Sequence, residues 1–277
     1  MLALLMPDEV NKSFTSLTLP DTPATSGRVW LTLPVDSAGL CRLRAESRTF
    51  WHARAVRFVL VHSPLVGPAT WRGVAEVLAS LGHAVDVPDL RHAAKSGDPR
   101  TFISAAQSAV SPDTGIVVGH SGAGFFLPSI AASREQLSLL VFVDAGIPPF
   151  DGTATASADF LGQLRSIAVN GMLPRWSRWW GEGVFERLVP DRERRSEVEA
   201  ELLEVPLAFY ETAITVPDGW CTAPGGFVLL SEMYRGDAAT AMSLGWPTVE
   251  LLGTHLDIVN HPDALAQALT RLARGDR

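Results

Sequence analysis

Short apolar runs alternate with amphipathic segments from about residue 56 onward. The runs at 58–61 and 115–119 are continuously apolar, which is typical of strands covered on both faces. Between Trp71 and Leu81, apolar residues recur every three or four positions, which predicts a helix. The alternation therefore predicts an α/β domain with a parallel sheet between two layers of helices. The other predicted strands lie at 83–87, 137–143, 227–230 and 248–252, and the other predicted helices at 101–110, 122–133, 237–244 and from Pro262 onward.

This alternation stops between residue 150 and about residue 224, where no strand-like run is found. Residues 198, 202 and 205 are apolar at helical spacing, so we predict a helical insertion at 150–224 between core segments 1–149 and 225–277. Within residues 1–50 only 29–33 resembles a strand, and we expect one or two edge strands with an irregular tail.

Composition narrows the class of protein. Among the 277 residues, 47% are hydrophobic and 19% charged, which excludes wholesale disorder. A net charge of −7 without a dense Lys/Arg stripe argues against a nucleic-acid partner. No apolar run approaches the length that spans a bilayer, and the short apolar start lacks the features of a signal peptide. Cys41 and Cys221 form no metal motif or disulfide framework, so we expect a cytoplasmic protein that needs no metal.

The most specific motif is Gly-His-Ser-Gly-Ala-Gly at 119–124, between a predicted strand and a predicted helix. A serine on such a tight turn is exposed at the carboxyl end of its strand, and small neighbours are needed because chain segments approach closely there. The motif resembles the nucleophile elbow of the α/β-hydrolase superfamily, usually written G-x-S-x-G. Ala123 occupies the place of the final glycine, and Gly124 follows it. The alternative is that Ser121 is an inert small residue in a turn.

A second segment resembles the loop of the same superfamily that binds the oxyanion. The family usually has His-Gly-x after a strand and several residues before a Trp, and this chain has His62, Ser63, Pro64 and then Trp71. Pro64 has no N–H where the family uses one as a donor. The resemblance leaves the Gly122 N–H as one donor, with the Leu65 N–H or the Ser63 hydroxyl as the second.

The resemblance also implies a histidine base near the chain end and a carboxylate partner. His255 follows the last predicted strand in a Gly-x-His pattern, and His261 is its competitor. Glu232 and Asp237 follow the penultimate strand, where the family usually has its acid. Asp144 follows the strand before the insertion, where a minority of relatives carry it. We rank Glu232 and Asp144 nearly level and Asp237 third.

Taken together, the resemblance covers about residues 56–274. It implies an α/β-hydrolase fold with a mainly parallel eight-stranded sheet, helices on both faces and a helical cap at 150–224. It further implies a cofactor-independent serine hydrolase that acts through an acyl-enzyme. Trp176, Trp179 and Trp180 are expected as cap core or pocket wall, which favours a small, largely hydrophobic ester, lactone or thioester. Two alternatives stay open: a cofactor-free lyase or carbon–carbon bond hydrolase, and a non-catalytic ligand-binding protein. The oligomeric state is not predicted.

Overall fold

The computed structural model describes residues 55–132 and 137–275. Within these residues the strands are β1 (Arg57–Val61), β2 (Ala84–Asp86), β3 (Thr114–His120), β4 (Leu139–Val143), β5 (Thr153–Ala154), β6 (Met172–Leu173), β7 (Val205–Pro206), β8 (Ile214–Thr215), β9 (Gly225–Leu229) and β10 (Thr248–Glu250). Six of them form one sheet in the order β10-β9-β4-β3-β1-β2, with every neighbouring pair parallel.

Helices connect the strands of this sheet. Two of them begin at residues typical of a helix start: the Asp98 carboxylate accepts a hydrogen bond from the Arg100 N–H at one, and Pro262 is the first residue of the other. The helices are α1 (Arg72–Ser80), α2 (Arg91–Ala94), α3 (Pro99–Ala109), α4 (Leu127–Ala131), α5 (Ala158–Ile167), α6 (Val184–Leu188), α7 (Arg192–Glu201), α8 (Ala208–Glu211), α9 (Arg235–Ser243), α10 (Asp257–Asn260) and α11 (Pro262–Arg274).

The central strands are buried on both faces, as their continuous apolar runs predict. Every residue of β4 and β9 is buried, and so is all of β1 except its first residue. Aromatic rings fill the space at one end of the core, where Phe142 stacks on Trp246 with ring centroids 5.5 Å apart. All six carboxyl ends lie at the same rim of the sheet, and the loops that leave this rim carry the candidate site residues.

One expectation is not tested and one needs correction. Six strands of the sheet lie in the described part of the chain, so the expected eight are not confirmed, and the edge strands expected within residues 1–50 lie outside the described residues. The segment predicted as one helix at 122–133 is a 3₁₀ helix over Ser121–Phe126 followed by α4. A 3₁₀ turn is tighter than an α-turn, so the chain leaves β3 more abruptly than the apolar pattern indicates.

The segment between β4 and β9 is mainly helical and carries α5 to α8. It also contains strands that the sequence does not predict: β5 pairs with β8 and β6 pairs with β7, each antiparallel and two residues long. The β5–β8 ladder joins the two ends of the segment, because β5 lies near its start and β8 near its end. We call this segment the insert.

Candidate active site

Ser121 lies on a sharp bend at the carboxyl end of β3. Its φ angle is 59°, a left-handed conformation that few residues other than glycine adopt. Gly124 packs so closely against the Gly146 carbonyl that a Cβ at position 124 would overlap it. At position 123, by contrast, the Ala123 side chain is accommodated and is fully buried. The glycine that this bend requires therefore lies one position later than in the usual family pattern.

Ser121, His255 and Asp144 form a chain of hydrogen bonds. The Ser121 Oγ lies 3.0 Å from His255 Nε2, and His255 Nδ1 lies 2.7 Å from Asp144 Oδ2. These residues come from the loops after β3, β10 and β4, which meet at the rim. A carboxylate on Nδ1 fixes the proton there, so Nε2 accepts the serine proton.

Asp144 is fully buried and has a complete set of hydrogen-bond donors. Its Oδ1 accepts from the N–H groups of Leu230 and Ser231, both at 2.9 Å, and its Oδ2 accepts from the Ser231 hydroxyl at 2.6 Å. Burial by itself would raise the pKa of Asp144, but the bonds from His255 and Ser231 outweigh it and hold the pKa below its usual value. Asp144 therefore stays ionised beside the imidazole.

The loop that carries His255 is held at both ends. The Gly253 N–H donates to the Leu230 carbonyl at 2.8 Å, which ties the loop to the residue after β9. On the other side, the buried Asp257 accepts from the Thr254 hydroxyl at 2.8 Å and from Asn260 Nδ2 at 3.0 Å. These bonds fix the backbone on both sides of the imidazole.

Two rings enclose the His255 imidazole. His120 stacks on it with centroids 4.5 Å apart, and Tyr234 stacks on it at 5.4 Å with an interplanar angle of 20°. His120 Nε2–H donates to the His255 carbonyl at 3.1 Å. Burial and the neighbouring His255 lower the pKa of His120 to about 3, so His120 is neutral and adds no charge to the site.

The two other candidate acids do not reach His255. Glu232 is exposed and pairs with Arg235, which holds its pKa below the usual value. Asp237 accepts from the Ile147 N–H at 2.8 Å, and burial raises its pKa. Of the three carboxylates weighed from the sequence, the structure brings only Asp144 to the imidazole. The competitor His261 lies at the start of α11, where it is exposed.

The loop after β1 lies beside the bend that carries Ser121, because β1 is next to β3 in the sheet, on the side away from β4. His62 is fixed structurally: its Nε2 accepts from the Leu90 N–H at 2.9 Å, its Nδ1–H donates to the Ser63 carbonyl, and burial lowers its pKa to about 4. Pro64 occupies a turn closed by the Val66 N–H on the Ser63 carbonyl at 3.1 Å. A Cβ placed on Gly122 would lie 3.4 Å from Ser63 Oγ, so this hydroxyl lies beside Gly122.

Helix α7 of the insert holds the same loop. The Ala69 N–H donates to a Glu201 carboxylate oxygen at 2.6 Å, and Arg72 pairs with Glu197 at 2.6 Å. The Leu65 carbonyl accepts from the Leu203 N–H at 3.4 Å, and the Leu65 side chain is buried. Hydrogen bonds from the insert thus hold the loop after β1, in addition to its attachment to the sheet.

Solved structures similar to this one share one architecture. An extracellular alpha/beta-hydrolase from a Paenibacillus species is 18% identical, with a TM-score of 0.64 over 79% of this chain and 99% of that chain. Polyneuridine aldehyde esterase is 16% identical, with a TM-score of 0.62 over 79% of this chain and 100% of that chain. The thioesterase domain from the curacin biosynthetic pathway is 17% identical, with a TM-score of 0.53 over 78% of this chain and 91% of that chain.

This chain has the α/β-hydrolase fold. No protein-family model matches the sequence, and no curated protein matches it. At these identities the likeness establishes the fold alone, because one fold hosts many different chemistries.

The three tryptophans differ in their relation to the candidate site. Trp176 is buried, and its ring centroid lies 6.3 Å from that of His255. Trp180 packs edge-on against Trp176 at 6.0 Å, while Trp179 donates from its indole N–H to the Pro174 carbonyl at 2.8 Å. Only Trp176 of the three contacts a ring of the hydrogen-bonded chain.

Sequence reasoning missed several residues of the site. Ser231 and Tyr234 lie on either side of Glu232, which the sequence offers as a candidate acid, and Asp257 lies two positions after His255. Closeness in sequence to a candidate residue was the only signal for these three, and it does not tell which side chains point into the site. Among residues 55–132 and 137–275, no group of three or more His, Cys, Asp or Glu is arranged to hold a metal, and no helix is long and apolar enough to cross a membrane.

Proposed function

We propose that the protein is a serine hydrolase that cleaves small, largely hydrophobic esters, lactones or thioesters through an acyl-enzyme. One observation carries the proposal: Ser121, His255 and Asp144 form a continuous hydrogen-bonded chain that ends on a serine at a strained bend. Backbone strain at a reactive position is typical of functional sites.

In the first half of the reaction, the Ser121 oxygen attacks the acyl carbon while His255 Nε2 takes its proton. Asp144, held ionised by its four hydrogen bonds, stabilises the resulting imidazolium. The tetrahedral intermediate collapses when the leaving group departs with the proton from His255. Water then attacks the acyl-enzyme by the same steps.

The oxyanion needs two donors, and we assign the Gly122 N–H and the Ser63 hydroxyl. The Gly122 N–H lies in the first turn of a helix, where such groups have no partner inside the helix. The Ser63 hydroxyl lies beside Gly122, 3.4 Å from the position that a Cβ would take there, and would replace the N–H that Pro64 lacks. We prefer this hydroxyl to the Leu65 N–H because its proximity to Gly122 is observed directly.

The preference for an apolar acyl or alkyl group rests on Trp176. A buried indole next to the imidazole offers a large apolar surface and little to satisfy a sugar or a charged peptide. The names of two neighbours, an esterase and a thioesterase, are consistent with acyl transfer.

The test is labelling with a fluorophosphonate, followed by peptide mapping of the modified residue. We expect the label on Ser121, turnover of p-nitrophenyl butyrate, and loss of both in Ser121→Ala. The matched control is Ser108→Ala, which removes an exposed hydroxyl of α3. Unlabelled Ser121, or turnover retained in Ser121→Ala, contradicts the proposal. Cyanohydrin cleavage without ester turnover would point to a lyase instead.

The expected lack of a cofactor and the cytoplasmic location belong to the same proposal. Dialysis against a chelator should leave ester turnover unchanged, since no step above uses a metal. Fractionation of the native cells tests the location, and recovery of the protein outside the cytoplasm would contradict it.

A further inference from the structure

Tyr234 is in contact with the nucleophile. It ends the 3₁₀ helix Glu232–Tyr234 that follows β9, and its hydroxyl lies 3.4 Å from the Ser121 Oγ. In the sheet, β9 and β1 lie on opposite sides of β3. The loop that carries Tyr234 therefore reaches the serine from the side opposite the loop that carries Ser63.

The direction of this contact follows from the neighbouring hydrogen bonds. His255 Nδ1–H donates to Asp144, so Nε2 is an acceptor and the Ser121 proton points to it. The remaining polar positions on the serine oxygen are lone pairs, which the Tyr234 O–H can fill only as a donor. Burial raises the pKa of the Tyr234 phenol, so it keeps this proton at neutral pH.

At 3.4 Å the bond is longer than a usual O–H···O bond of about 2.5–3.0 Å. Catalytic hydrogen bonds are often long in the free enzyme and shorten when charge develops on the acceptor. The bond from Tyr234 should therefore strengthen at the step in which the serine oxygen becomes negative.

We infer that Tyr234 is a catalytic residue whose hydroxyl donates to the Ser121 oxygen as the acyl-enzyme breaks down, an inference that rests on the proposed function. In that step water adds to the acyl carbon and gives its proton to His255. The bond between the acyl carbon and Ser121 Oγ then breaks, and its electron pair stays on the oxygen. Tyr234 stabilises this developing charge, His255 returns the proton to Ser121, and Tyr234 keeps its own.

Formation of the acyl-enzyme begins from a different state. In the free enzyme the serine oxygen already accepts from Tyr234, so this bond stabilises the starting state and the transition state of attack alike. In the acyl-enzyme the same oxygen belongs to an ester and is a weak acceptor, so the bond gains strength only as the oxygen departs. Removing the Tyr234 hydroxyl should therefore slow deacylation and leave acylation nearly unchanged.

Tyr234→Phe keeps the ring that stacks on His255 and removes only the hydroxyl. In stopped-flow measurements with p-nitrophenyl butyrate, we expect the deacylation rate constant to fall roughly tenfold, the worth of one hydrogen bond. The rate of the initial p-nitrophenol burst should stay within about threefold of the wild type. The matched control is Tyr210→Phe, because the chain has two tyrosines and Tyr210 lies in the insert, with its ring packed against Phe209.

A deacylation rate within twofold of the wild type, or equal losses in both steps, would overturn the inference. If the wild type shows neither a burst nor a labelled Ser121, the proposed function itself fails, which is a different result. Should Tyr234→Phe not fold, 3-fluorotyrosine incorporated into a Tyr210→Phe background modifies position 234 alone. Its more acidic phenol is a stronger donor and should speed deacylation, and an unchanged rate would again refute the role.

Discussion

Replacing Asp144 by asparagine tests the candidate site at its most buried point. The substitution preserves shape, and the amide oxygen can still accept from the N–H groups of Leu230 and Ser231. The amide nitrogen then takes the place of Oδ2 and faces His255 Nδ1. In the wild type, this nitrogen lies 2.7 Å from Asp144 Oδ2. Two N–H groups cannot face each other at that distance, so His255 must move its proton to Nε2.

A ring protonated at Nε2 cannot accept the proton of Ser121. The wrong tautomer costs about 10⁴ in kcat for a serine–histidine–aspartate site, or about 5 kcal/mol of barrier. The unfolding free energy should fall by only about 1–3 kcal/mol, because the fold keeps most of the hydrogen bonds. Turnover of p-nitrophenyl butyrate gives the first quantity, and urea unfolding gives the second.

Glu232→Gln is the matched control, since it removes the charge of the acid that the sequence ranked level with Asp144. Glu232 is exposed and pairs with Arg235, so we expect turnover within twofold of the wild type. The reasoning is refuted if Asp144→Asn keeps more than about a tenth of wild-type turnover while folded, or if Glu232→Gln shows the larger loss.

Three further predictions concern the residues around the site. Ser63→Ala should lower ester turnover on the order of 10²-fold without changing the melting temperature, and unchanged turnover would remove Ser63 from the oxyanion site. His62 and His120 have pKa values of about 4 and about 3 in the fold and 6.5 otherwise, so the unfolded chain takes up their protons first as the pH falls below 6.5. Stability should then drop by about 1.4 kcal/mol per pH unit for each ring, and urea titrations of His120→Gln between pH 6 and 5 should show a shallower slope than the wild type; an equal slope would contradict the assignment. Gly124→Ala should lower the unfolding free energy by about 1–3 kcal/mol, because its Cβ would meet a backbone carbonyl after β4. Gly162→Ala, in an open position on α5, should raise the unfolding free energy by up to about 1 kcal/mol. Calorimetry that finds equal stability changes for the two variants would refute the packing argument.

The sequence predicted the central strands well because their signal is strong. Four or five buried apolar residues in a row, as in β1 and β4, leave few alternatives to a strand covered on both faces. The two-residue strands of the insert could not be predicted, since two positions carry no period. The bend at Ser121 was recognised from its small neighbours, but not the 3₁₀ turn after it.

The candidate acid could not be chosen from sequence for a geometric reason. The loops after β4 and β9 meet at one rim, and both carry carboxylates at suitable positions. The choice depends on which side chain points inward, and the hydrogen bonds of Ser231 to Asp144 decide that locally. Tyr234 escaped notice for the same reason, because nothing in its neighbourhood marks it as inward-facing.

The described chain has three residues other than glycine with positive φ, and two of them are Ser121 at 59° and Asp144 at 42°. Such conformations cost of order 1–3 kcal/mol each and persist only when the surroundings enforce them. Glycine would relieve this cost at either position, yet it would remove the hydroxyl or the carboxylate. Selection for heat resistance alone would therefore favour substitution of these two residues. A stabilising redesign should keep both of them and change residues of the surrounding helices instead.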